Sequence, residues 1–348
     1  MQNSIQALAS QLASSDSKRA QKEACAELKT LCFDDDHFQS IRDTDAIQAL
    51  VGALASPHME LTELSADCIW SLSADPENHN PIINASALVL LARCLTSNSP
   101  SLAATAAASI MNLVAIGDGI PQEARKELLE ADGIKGLVRL LHSEGALCDQ
   151  QSTKEASLAV ATALSMLAID PQVGEEIRKT GGVGSLVPML RQGANSELAR
   201  HAAAILGRMA HNNLTSQQAI RDAGGVSALL ELGAEAMHGQ VEWRASAGGG
   251  LSNAQQQAAQ HSAAALWTLA TEPESRKEIL YHGRGLEILA SMIGGRAGEK
   301  AEGNAAGALL ALLPAPGETD DPNTVLALFG EMYSALRSLA VDAAAPAA

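Results

Sequence analysis

From Ala219 to Leu232 the chain reads AIRDAGGVSALLEL: the end of a short helix, a Gly-Gly turn, and a second helix whose apolar residues fall at helical spacing. The plan recurs. Val226, the first apolar residue after the glycines, has counterparts at Ile5, Ile47, Leu88, Ile134, Val183 and Leu286, at successive spacings of 42, 41, 46, 49, 43 and 60 residues. Longer alanine-rich apolar runs follow these turns, so the predicted unit is three helices and the predicted architecture a tandem, all-α array. The long spacings read as a loop inserted into a unit. In such an array each unit packs only on its neighbours, so 348 residues need not divide into separate globules.

In chain order, residues 3–13 give the second helix of a truncated first unit, and Asp16 and Ser17 sit at a cap before a helix over Lys18–Phe33. Asp34, Asp35 and Asp36 after that helix read as solvated loop, because acids gain nothing from a helix C-terminus. The units fall at about 1–40, 41–81, 82–127, 128–176, 177–219, 220–279 and 280–313. Long helices are expected over Leu102–Ile116 and Thr153–Ile169, and insertions over Ser143–Ser152 and Gly239–Gln257. The second insertion, with its glycine run and glutamine cluster, is expected to be a mobile loop. Pro314–Asp320 is a break, residues 314–342 hold a helix from about 322 that caps the array end, and 343–348 form a disordered tail.

Composition agrees with helices. Hydrophobic residues make up 47% but aromatics only 2%, so the core is leucine, isoleucine, valine and alanine, and strands would want more aromatic and β-branched residues. The net charge of −16 argues against nonspecific nucleic-acid binding, which rests on Lys and Arg neutralising phosphates. The charge is uneven: residues 1–75 carry a net −7 and residues 175–280 a net −1. The five cysteines lack any C-x-x-C pair and lie mostly in apolar runs, which suggests buried, reduced, intracellular thiols. The N-terminal segment lacks the pattern of a secretory signal, Gln2 excludes myristoylation, and the apolar stretches are too interrupted to span a membrane, so a cytoplasmic or nuclear location is expected.

The segments IRDAGGVSALLEL, IRKTGGVGSLVPML and LEADGIKGLVRLL resemble the end of helix 1, the glycine turn and helix 2 of armadillo repeats, and AAASIMNLVA, AAAILGRMA and AAALWTLA resemble helix 3. The resemblance covers nearly the whole chain. It implies an armadillo-type α-solenoid, a right-handed superhelix of about seven three-helix repeats. Its third helices would line a concave groove that binds an extended peptide or a partner subunit. In the best-understood members an asparagine on each third helix hydrogen-bonds the peptide backbone. The equivalent positions here are Thr30, Ser71, Asn112, Met166, Arg208, Thr268 and Ala311, and only Asn112 keeps the family residue. Nuclear-import adaptors add a tryptophan one turn earlier. Here those positions are Asp67, Ala108, Thr162, Ala204 and Ala264, so that array is absent.

No motif points to catalysis, a metal or a cofactor. The nine histidines form neither H-E-x-x-H nor a zinc pattern with the cysteines, and no P-loop is present. The pairs Gly181-Gly182 and Gly224-Gly225 are explained by a sharp turn between helices. Trp70 and Trp267 each precede an asparagine-equivalent position, about 100° round the helix from it. They either pack on the neighbouring third helix or anchor a ligand in the groove. Arg200 and Arg208 share a helical stripe and suit a carboxylate or phosphate. The expected groove contacts are therefore Ser71, Asn112, Arg200, Arg208, Thr268, Trp70 and Trp267. The expected function is a non-catalytic scaffold or adaptor. The alternatives are a substrate-recognition subunit of a ubiquitin-ligase assembly whose U-box lies on a partner, and a bilin lyase resembling HEAT-repeat enzymes, whose shorter repeats argue against it.

Overall fold

The computed structural model describes residues 2–15, 17–115, 121–142, 150–243, 251–282, 284–293, 297–313, 330 and 332–334. The elements among them are helices, and the contacts divide the chain into two compact units, Met1–Leu167 and Ala168–Ala348. The first unit holds α1 (Gln2–Ser14), α2 (Lys18–Cys32), α3 (Phe38–Arg42), α4 (Ala46–Ala53), α5 (Met59–Leu72), α6 (His79–Asn84), α7 (Ala87–Cys94), α8 (Pro100–Val114), α9 (Gln122–Glu130), α10 (Gly133–His142) and α11 (Gln150–Leu167). The second holds α12 (Pro171–Lys179), α13 (Gly182–Leu190), α14 (Glu197–Ala210), α15 (Leu214–Asp222), α16 (Gly225–Trp243), α17 (Asn253–Leu269), α18 (Pro273–Tyr281), α19 (Gly285–Ser291) and α20 (Glu299–Ala311).

The helices recur in threes. The seven anchors fall one each on α1, α4, α7, α10, α13, α16 and α19, and all seven are buried. Within the first unit the third helices stack in order, α2 on α5, α5 on α8 and α8 on α11; within the second, α14 packs on α17 and α17 on α20. Small side chains make the stacking close: Ala202, Ala203, Ala258, Ala259, Ala263 and Ala265 are all fully buried.

Local chemistry sets the helix ends. Four third helices start at serines whose hydroxyls accept from a backbone N–H: Ser17 from Ala20, Ser99 from Leu102, Ser196 from Ala199 and Ser252 from Gln255. First helices start at acids or asparagine, often followed by proline, as at Asp170-Pro171 and Glu272-Pro273. In four repeats the turn into the middle helix uses a left-handed residue. Gly181 and Gly224 supply φ of 81° and 75°, and Asp132 and Ser86 take the same conformation in other repeats. The next glycine answers a different need: a Cβ on Gly225 would lie 2.7 Å from the Ile220 carbonyl oxygen.

First helices also tie successive repeats. Arg42 at the end of α3 donates to Asp75, 2.7 Å away, and Asp75 caps the 3-10 turn Pro76–Asn78 that begins the next repeat. In the second unit Arg221 of α15 donates at 2.6 Å to Glu272, the buried cap of α18.

Several expectations change. The acids after α2 form a cap rather than plain loop: Asp34 accepts from the Asp36 N–H and a 3-10 turn runs over Asp35–His37, though the side chains stay exposed. Helix α8 starts at Pro100 and ends at Val114, because Ser99 caps it. The insertion placed at Gly239–Gln257 is shorter than expected. Helix α16 continues to Trp243, and a reciprocal capping box between Ser252 and Gln255 starts α17, so the glutamine cluster lies in a first helical turn. The insertion placed at Ser143–Ser152 likewise loses its end to α11. Residues 143–149 and 244–250, the tail 343–348 and, apart from four residues, the capping helix lie outside the described residues.

Candidate partner-binding face

The predicted contacts all sit on third helices, in two groups. In the first unit, Trp70 and Ser71 end α5 and Asn112 lies on α8. Ser71 donates to the Cys32 carbonyl at 2.6 Å, and Asn112 donates at 3.0 Å to the hydroxyl of Ser73, which donates in turn to the Trp70 carbonyl. Each side chain thus reaches back to the C-terminus of the preceding third helix, whose last carbonyls have no partner within their own helix. Thr30 bonds only within its own helix, to Glu27, and Met166 is 41% exposed.

Around this ladder the first unit presents aromatic and paired charged groups. Trp70, 42% exposed, meets Phe33 edge-on with ring centroids 6.2 Å apart. Lys29 lies 5.8 Å from the Phe33 ring centre and is held by Asp67 at 2.6 Å; Lys22 pairs with Glu60. Behind the face Cys25, Cys32 and Cys68 are buried free thiols, and hydrogen bonding to Cys68 together with burial pushes the Cys25 thiol up. Cys94 is pushed up to about 11 by burial alone. A cleft of about 800 Å³ lies between α1 and α4, lined mainly by small residues such as Ala9, Ala13, Ala49 and Gly52.

In the second unit, Arg200 and Arg208 lie on α14 and Trp267 and Thr268 on α17. Thr268 repeats the tie seen in the first unit in weaker form, 3.5 Å from the Gly207 carbonyl, with its main bond to Ala265 at 2.7 Å. Trp267 is 44% exposed, and its inner edge rests over Gly307 of α20, where a Cβ would come within 2.7 Å of the indole. It therefore packs on the next third helix and still presents ring to solvent. Arg200 donates to the Asn195 carbonyl.

Arg208 is different. Its Nη1 is buried and has no hydrogen-bond partner among the described residues, and burial lowers the guanidinium's pKa. His261 on α17 is pushed down to about 4 by burial first and then by Arg208, His201, Arg200 and Lys300. Burial lowers His201 too, with Arg200 and Arg208 adding to it and Glu197 opposing. The sequence analysis gives neither histidine a role in the face, yet their register is available: each lies seven residues before its repeat's ladder position, Arg208 or Thr268. Phe33 and the Lys29–Asp67 pair were missed because only the fold brings them beside Trp70.

Among the described residues no group of His, Cys, Asp and Glu is placed to hold a metal ion, and no helix is long and apolar enough to cross a membrane.

No family model matches the chain. Among curated proteins it is 27% identical over 203 residues to Vacuolar protein 8 of Schizosaccharomyces pombe, covering 58% of this chain and 34% of that protein, so the match spans about a third of the relative's length. Among solved structures, an engineered protein is 26% identical with a TM-score of 0.69, over 95% of this chain and 71% of its own. A computationally designed armadillo repeat protein for modular peptide recognition is 22% identical with a TM-score of 0.58, over 76% of this chain and 99% of its own. A designed armadillo repeat protein solved in complex with the peptide (KR)4 is 21% identical with a TM-score of 0.55, over 76% and 99%. The buried anchors on seven middle helices, the stacked third helices within each unit and these likenesses show an armadillo-type α-solenoid fold.

Proposed function

We propose that this chain is a non-catalytic scaffold that holds an extended segment of a partner protein against its third helices. The observation that carries the reading is Arg208: a half-buried guanidinium with an unpaired donor, on the face that the third helices present, one helix away from a half-exposed tryptophan. An unsatisfied buried donor costs free energy that a ligand oxygen recovers. Exposed aromatics beside a charged anchor are the composition of a binding hot spot. The solved structures of similar fold include a designed armadillo repeat protein in complex with a peptide, which supports a peptide segment as the ligand.

The segment that suits unit two carries acidic or phosphorylated side chains. The first unit, with its excess of acids, suits a neutral or basic stretch. The buried free thiols favour a reducing compartment, the cytoplasm or nucleus. No residue on these helices favours the ubiquitin-ligase or bilin-lyase alternatives. Affinity capture with the wild-type chain, followed by cross-linking of the captured partner, tests the proposal. Cross-links should fall on α5, α8, α14 and α17, and Arg208→Glu with Trp267→Ala should lose the partner while circular dichroism stays unchanged. Capture at undiminished strength by that double variant would move the site elsewhere.

A further inference from the structure

Five nitrogen-bearing side chains from three successive third helices gather in the second unit: Arg200, His201 and Arg208 from α14, His261 from α17 and Lys300 from α20. All the others lie close enough to His261 to act on its charge. Arg208 has a buried Nη1 with no hydrogen-bond partner and no ion pair among the described residues, in contrast to the paired Arg221 and Arg178 of the same unit. The surroundings do not supply one. The small residues Ala264 and Ala265 follow His261 on α17, and the acid that acts on the cluster from α14 is Glu197, exposed, toward His201. Glu299 and Glu302 flank Lys300 in the first turn of α20. On α16, which also packs on α17, Glu231 pairs with Arg191 and Glu235 lies against Gly193.

We propose that this cluster is a receptor for one phosphoryl group on the partner segment, with Arg208 as its central donor, His201 and His261 as flanking donors and Trp267 packing the adjacent residue. Two features favour a phosphoryl group over a carboxylate. A phosphate monoester carries close to two charges and offers three acceptor oxygens, so it can occupy Arg208 and both imidazoles at once. Burial also lowers the pKa of both histidines, and a dianion would oppose that by favouring a proton on each ring. A single carboxylate would be satisfied by Arg208 alone. The inference rests on the third-helix reading of function and names the chemistry of its anchor point.

The test uses the full chain with 13C at histidine Cε1, titrated with three capped alanine nonapeptides that carry phosphoserine, serine or glutamate at the centre. The phosphoserine peptide should move the His201 and His261 signals saturably toward the imidazolium position and leave the other seven histidines in place. The glutamate peptide should bind at least fivefold more weakly, and the serine peptide should move nothing. Arg208→Gln, checked for unchanged helicity, should abolish the shifts, and Arg208→Lys should restore part of them. Unmoved signals, equal response to glutamate, or shifts that survive Arg208→Gln would each overturn the proposal. Partner capture that persists beside a silent titration would leave the scaffold reading standing; phosphopeptide binding on a face that no partner occupies would do the reverse.

Discussion

The third-helix faces of the two units are built on the same positions and finished differently. In the first unit the ladder residues Ser71 and Asn112 are used up on the preceding helix, and the nearby lysines are neutralised by Asp67 and Glu60. In the second unit the ladder residue of α14 is an arginine with a buried donor left over, beside two histidines whose pKa burial lowers. One face has closed its polar groups on itself, and the other holds cationic capacity open. The difference teaches that ladder position alone does not make a contact residue: what the neighbouring repeat sets opposite decides whether the side chain is available.

Charge reversal should break the contrast most visibly. Arg208→Glu is expected to weaken phosphopeptide binding at least about tenfold, ~1.4 kcal/mol, by fluorescence anisotropy, while Lys29→Glu leaves it unchanged. Equal losses would mean that long-range charge, not a built site, governs binding.

Gly307→Ala should destabilise the protein by ~1–2 kcal/mol in urea denaturation, because the new Cβ meets the Trp267 ring. In a Trp267→Ala background the same change should gain ~1 kcal/mol, the ordinary helix preference for alanine. A cost that persists without the tryptophan would show that the ring is not what the glycine accommodates.

For the first unit, Asn112→Ala should cost about 1 kcal/mol through the lost bond to Ser73. A variant as stable as wild type but weaker in partner capture would instead mark Asn112 as a contact.

Acid should separate the units. His261 is held at about 4 in the folded chain against an ordinary value of 6.5, so above pH 6.5 it has no effect on stability. Below that the unfolded chain takes up the proton and the folded chain resists it, so the denaturation midpoint should fall as pH drops toward 4. His261→Gln should flatten this limb; an unchanged limb would assign it to other groups. The smallest effect expected is that of Asp67→Asn, which frees Lys29. Stability should fall by less than about 1 kcal/mol, since the pair is partly exposed. Any phosphopeptide affinity gained on the first unit would show that its face is closed only by that pairing.

Local signals carried most of the fold. A glycine turn and a 3.6-residue period sit within a dozen residues, so the anchors and the register of the third helices were readable in the chain. The start of α17 was readable too, since Ser252 and Gln255 spell a capping box, but glutamine-rich composition read as loop outweighed it. The site was legible as a set of positions and illegible as a set of states. Asn112 is engaged because Ser73, 39 residues earlier, stands beside it. Arg208 is open because, among the described residues, no acid of a neighbouring helix pairs with it. Neither fact is local to the residues concerned.

The arginine ties between first helices bear on how the array can be cut. Glu272 caps its own helix through the Ser275 N–H and receives Arg221 from the repeat before. Burial works against its charge, and those two partners outweigh it and hold its carboxyl below the usual range. A fragment excised to begin at α18 would keep the carboxylate in its enclosed position and leave the guanidinium behind. The cap would then have to protonate or rehydrate, and the first turn of the fragment would loosen. A cut that keeps donor and cap on the same piece therefore falls before Arg221 or after Glu272, and not at the repeat boundary between them.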